Sequence, residues 1–186
     1  MLKRLLILIL MGLAMPALAE SKLGDDGLHH EDWFVTSLLD LRDDAAEATA
    51  AGRHLVVIWE QKGCIYCQRL HEQHLNDPKI VAFMKANFHV VQLDLRGDRL
   101  VTDLDGQEWS EKELARKTRA ATTPSLHFVP MVLGDRKGKP LAEAEIARMP
   151  GLLEPNVFLA MLEYVQGKHL SLIHISPVSY THLAGD

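Results

Sequence analysis

An α/β domain with a mixed central sheet flanked by helices is the architecture this sequence predicts, on three observations. Apolar runs rich in β-branched residues at 54–59 (HLVVIW) and 88–95 (FHVVQLDL) read as strands covered on both faces. Segments of helical period lie between them, and crossover helices imply parallel neighbours. A short turn over 135–140 (DRKGKP) joins two later extended runs and implies an antiparallel pair.

The elements follow in order. Trp33, Phe34, Leu38, Leu41, Ala45 and Ala48 recur at steps of three and four, predicting an extra N-terminal amphipathic helix over 31–51 that Gly52 ends. After the first strand, Gly63 turns the chain. Cys64 then opens a helix whose inner side continues through Leu70, His74 and Leu75 to Asn76. Asn76-Asp77-Pro78 supplies a cap with proline at the first helical position, so a short helix should span 78–86. After the second strand, Asp105-Gly106 marks a tight turn between two short extended runs, read as an inserted hairpin or loop over 96–109. Ser110 with Glu113 forms a capping box for a helix reaching Arg119. A strand over 125–129 is followed by Pro130, which suggests an edge or a bulge. A further strand is expected near 143–149, and a last helix over 155–166 ahead of Gly167.

The two ends read differently. Lys3 and Arg4, an apolar core over 5–13 and Ala17-Leu18-Ala19 form an export signal cleaved after Ala19. The apolar run of about 15 residues contains Gly12 and Pro16 and falls short of the roughly 20 that span a bilayer. Residues 20–30 are expected as a flexible lead, 31–168 as the domain, and 169–186 as a disordered or non-native tail without period, caps or appreciable charge. Cleavage removes Lys3 and Arg4 and no acid, moving the net charge from −5 to −7. That balance argues against a nucleic-acid partner, which needs clustered cations.

Cys64-Ile65-Tyr66-Cys67 holds both cysteines of the chain one helical turn apart. As a structural staple such a pair closes a tiny loop and constrains the unfolded chain little. As a redox pair it is well placed, because a thiolate at a helix N-terminus is favoured by the exposed N–H groups and the dipole, lowering its pKa from about 8.5. Lys62 adds to that effect. Cys64 is thus expected to attack and Cys67, more buried, to resolve the mixed disulfide.

The segments EDWFVTSLLDL, WEQKGCIYCQRLHEQHLNDPKI and VVQLDLRGDRLVTDLDGQEWSEKELARK, with Thr123-Pro124-Ser125, resemble the thioredoxin superfamily, and within it exported SoxW-type thioredoxin-like proteins. The resemblance covers roughly residues 31–166 and implies a thioredoxin fold with a short insert before a cis-proline at Pro124. It implies catalytic Cys64 and Cys67 and a substrate surface including Ile65, Tyr66, Thr123 and Pro124. It further implies a periplasmic thiol-disulfide oxidoreductase acting on disulfides of envelope proteins, supplied with electrons by a membrane thiol transporter. It is expected to act as a monomer with no cofactor beyond the Cys64–Cys67 pair. The chain departs from cytosolic thioredoxins in lacking Trp-Cys-Gly-Pro-Cys and a buried Asp on the preceding strand. Glu60, at the strand end, is the candidate substitute for tuning the thiols, with a salt-bridged surface glutamate as the alternative.

Two other classes stay open. Cys64, Cys67, His71 and His74 share one helical stripe and could bind zinc or copper as a chaperone does, although ligands seven or more residues apart on one helix are spread too far for one tetrahedral ion. His71 and His74 otherwise read as hydrogen-bonded packing residues beneath the thiols, and Trp59 as core. A noncatalytic binding module is the third class. Covalent haem is excluded because Gln68, not His, follows Cys67.

Overall fold

The computed structural model describes residues 22–167; the export signal and the tail lie outside the described residues. A ribbon of β1 (Lys22–Leu23) and β2 (His29–His30) leads to α1 (Leu41–Ala50) and β3 (His54–Glu60). The cysteines begin α2 (Ile65–Arg69), which widens into one π-helical turn at Leu70–His74. Then come α3 (Pro78–Asn87), β4 (Phe88–Asp94), a hairpin of β5 (Leu100–Thr102) and β6 (Glu108–Ser110), and α4 (Glu111–Lys117). The chain ends with β7 (Ser125–Val129), the short α5 (Leu141–Ala144), β8 (Ala147–Pro150) and α6 (Pro155–Gln166).

The central sheet runs β4-β3-β7-β8, with β3 parallel to β4 and both other pairs antiparallel. This is the mixed sheet the sequence predicts. Alternation along β3 divides the core. Leu55, Val57 and Trp59 face Leu41, Ala45 and Ala48 of α1 and Leu114 of α4. Val56 and Ile58 face Leu70, Ile80 and Met84, with Phe158, Leu162 and Val165 of α6. The capping box at Ser110 and Glu113 is formed, as is the hairpin around Asp105-Gly106. No helix among the described residues is long and apolar enough to cross a membrane.

Four expectations are corrected. The N-terminal helix begins only at Leu41, capped by the Asp40 side chain on the Arg42 N–H, and Leu39 just before it has φ 65°. Its expected apolar face merges two sets: Trp33 and Phe34 pack with Ile58 and Phe158, whereas Leu41, Ala45 and Ala48 lie across the sheet. No straight helix serves both layers. The chain instead passes the β4 edge, where Val35 N–H bonds Val90 O. Residues 22–30, expected as a flexible lead, include the β1–β2 ribbon, held by Gln92 Nε2 donating to His29 O at 2.7 Å. β7 is an interior strand, since Pro130 falls just past its last paired residue and removes no ladder bond. The strand expected near 143–149 starts at Ala147, because Leu141 and Ala144 first bury one side of a helical turn.

Candidate active site

Gly63 turns the chain from β3 into α2 at φ 72°, a left-handed conformation that favours glycine. Cys64 is the N-cap of α2, and the Cys67 N–H donates to its Sγ at 3.0 Å. The two cysteines form a disulfide with Cα atoms 5.2 Å apart. Cys64 is half-buried and Cys67 is buried, so Cys64 is the more accessible of the two. The Thr123 Oγ1 donates to Cys64 Sγ at 3.2 Å and Thr123 O lies 3.5 Å from the same sulfur. The Thr123-Pro124 bond is cis.

Two grooves meet at this sulfur. One, of about 700 Å³, includes Cys64, Ile65, Tyr66, Arg96, Thr123 and Leu152. The other, of about 340 Å³, includes Leu23, His29, Lys62, Cys64, Ile65 and Gln68. Ile65 and Tyr66 are each more than half exposed, as substrate-facing side chains would be, and Arg69 lies over the Tyr66 ring. Lys62, Ile65, Tyr66 and Thr123 are therefore gathered around Cys64, with Pro124 buried behind Thr123.

Glu60 is elsewhere. It is fully buried, on the same β3 face as Val56 and Ile58, beneath the cysteine helix. Its Oε1 accepts from His71 Nε2 at 2.9 Å and its Oε2 from Gln92 Nε2 at 3.1 Å. His71 Nδ1 in turn donates to Glu31 Oε1 at 2.8 Å, and His29 stacks on the imidazole. Burial pulls His71 down, but hydrogen bonds and charge from Glu31 and Glu60 outweigh it and raise the group from 6.5 to about 9. An imidazolium between two carboxylates thus sits one helical turn from Cys67.

This arrangement decides one earlier alternative. Glu60 is no surface glutamate. Both His71 nitrogens are engaged by carboxylates and His74 Nε2 donates to Leu153 O, so these histidines are hydrogen-bonded packing residues that tie the helix to its surroundings. Glu31, Gln92 and Arg96 were not foreseen. The signal for Gln92 was a polar residue interrupting an apolar strand; Glu31 and Arg96 had none, since their roles arise from contacts distant in sequence.

A family model described as a thioredoxin-like domain matches residues 41–166. No curated protein matches the chain. A thioredoxin from Thermus thermophilus is similar at 26% identity and TM-score 0.54, covering 74% of this chain and 93% of that one. A thioredoxin-fold protein from Helicobacter pylori shows 20% identity and TM-score 0.49, over 64% and 73% of the two chains. The periplasmic thioredoxin SoxS from Paracoccus pantotrophus shows 19% identity and TM-score 0.40, over 62% and 97%. With β3, the CxxC helix, the Thr123-Pro124 turn and α6 all inside the matched span, this chain belongs to the thioredoxin-like family.

Proposed function

We propose that this protein is an exported thiol-disulfide oxidoreductase that reduces disulfides of envelope proteins and is recharged by a membrane thiol-electron transporter. The observation carrying this reading is the asymmetry of the cysteine pair: Cys64 half-buried at a helix N-cap with an N–H on its sulfur, Cys67 buried one turn on. Export rests on the signal read over residues 1–19. The SoxW-type likeness favours a partner from sulfur-compound oxidation.

In the reduced protein the helix N-terminus and Lys62 favour the Cys64 thiolate. It attacks one sulfur of the substrate disulfide; that S–S bond breaks, the leaving thiolate takes a proton from solvent, and a Cys64–substrate disulfide forms. Cys67 then loses its proton and attacks Cys64 Sγ, forming the intramolecular disulfide and releasing the second substrate thiolate, which is protonated in turn. Two electrons have passed from the dithiol to the substrate, and no other electron carrier takes part. Thr123, beside the sulfur, and the exposed Ile65 and Tyr66 hold the substrate chain while Pro124 fixes the turn.

The reducing direction follows from the spacer, because Ile65 and Tyr66 offer no charge to hold the thiolate as a strong oxidant requires. Equilibration with glutathione should give a potential toward the reducing end of the range of about −270 to −120 mV known for such proteins. A value more oxidising than roughly −150 mV reverses the direction. Cys67→Ser should accumulate mixed disulfides with envelope proteins that dithiothreitol releases. Absence of any covalent adduct would sink the exchange reading.

A further inference from the structure

We propose that the substrates of this site carry carboxylate side chains on both sides of the reacting cystine, read by Arg96 in one groove and Lys62 in the other. The inference rests on the thiol-exchange reading and adds the substrate class to it.

Its basis is a charge distribution opposite to that of the molecule. The chain has 25 Asp and Glu against 20 Lys and Arg. Neither groove at Cys64 is lined by a carboxylate, and each contains one cation. Three other clefts each include acids: Asp103 and Glu143 in one, Asp105 in the second, Glu31 and Asp32 in the third. Arg96 and Lys62 are exposed, and neither forms an ion pair among the described residues, whereas the neighbouring Arg99 is held by Glu111 at 2.6 Å. Two acids on neighbouring turns have hydrogen-bond partners of their own. Asp94 Oδ1 accepts the Arg96 N–H, and Asp26 accepts from Leu28 N–H and pairs with His30.

The remaining lining fits a polypeptide. Ile65, Tyr66, Leu95 and Leu152 offer apolar contact, and Thr123 offers backbone polar groups beside the sulfur. Both grooves include Cys64 and Ile65, so a chain laid across the sulfur occupies both and meets a cation on each side. Unpaired rim cations act through encounter rate and orientation and discriminate against like charge, and their effect is screened by salt.

The test uses the reduced full chain and three disulfides: a cystine peptide flanked by glutamates, the same peptide flanked by lysines, and uncharged bis(2-hydroxyethyl) disulfide. The ratio of second-order rate constants for oxidation of the dithiol by the acidic over the basic peptide cancels differences in thiol reactivity. It should be about tenfold at low salt, shrink toward unity in 0.5 M salt, and fall below one in Arg96→Glu combined with Lys62→Glu. The charge-matched control, Lys79→Glu combined with Lys85→Glu on α3, should keep the wild-type ratio. A ratio near one at low salt, or one the double variant leaves unmoved, overturns the proposal while turnover of the uncharged disulfide leaves the exchange reading standing. Failure to turn over any of the three overturns both.

Discussion

His71 is the buried cation at the centre of the network beneath the site. Its two ring nitrogens bond Glu31 and Glu60, all three groups are buried, and its folded pKa of about 9 lies above the ordinary 6.5. A group raised on folding contributes stability that is complete below its unfolded pKa and is lost as pH rises through the folded one. The wild type should therefore be most stable near pH 6 and lose up to roughly 3 kcal/mol between about pH 6.5 and 9, measured by urea unfolding across that range. His71→Gln should flatten the profile and leave two buried carboxylates facing one another, costing about 3–5 kcal/mol at pH 6. An unchanged slope in the variant would assign the pH dependence to another group. Little of this network was legible in the sequence. Glu60 stood out as an acid ending an apolar strand, but nothing local links it to Glu31, 29 positions earlier, since pairing across the fold leaves no periodic trace.

Among the elements, legibility followed the range of the forces that make them. β3 and β4 are apolar runs buried on both faces, and the α4 capping box and the hairpin at Asp105-Gly106 are local devices, so each could be read from a few adjacent residues. The segment before α1 could not, because its apolar residues serve opposite sides of the sheet and only tertiary structure tells which side each takes. The π-helical turn over Leu70–His74 likewise has no local signature; it accompanies the burial of Leu70, His71, His74 and Leu75 together. Helix α1 gives a direct check on its revised start. Asp40→Ala removes the side chain that accepts the Arg42 N–H and should cost about 1 kcal/mol, whereas the same change at Asp43, inside the helix, should cost less. Equal losses at both positions would argue that α1 begins earlier.

For the whole molecule, the span shared with the family starts at residue 41, yet the site draws on residues before it. Leu23 and His29 line one groove, Glu31 holds His71, and Trp33 and Phe34 pack on the α6 side of the sheet. A chain beginning at Thr36 should therefore keep the sheet but lose at least about 3 kcal/mol, read as an earlier urea midpoint, because buried His71 loses Glu31, one of its two carboxylate partners. A midpoint equal to that of the full chain would show the segment to be dispensable. At this scale the fold class, the cysteine pair and the Thr123-Pro124 turn were legible from spacing and resemblance. The partition of the site between a shared core and an added leading segment was not, because it depends on where the ribbon folds back.

That partition gives the protein a modular character. The ribbon supplies Leu23, Gly27 and His29 to one side of the reacting sulfur, while the sulfurs, Thr123 and the opposite groove belong to the shared core. The ribbon side of the groove can thus change without altering the cysteine pair or the Thr123-Pro124 turn. Exchanging residues 22–35 should reshape the apolar wall of that groove while Lys62 and Arg96, both in the shared core, keep the charge preference, so shape and charge can be retargeted separately.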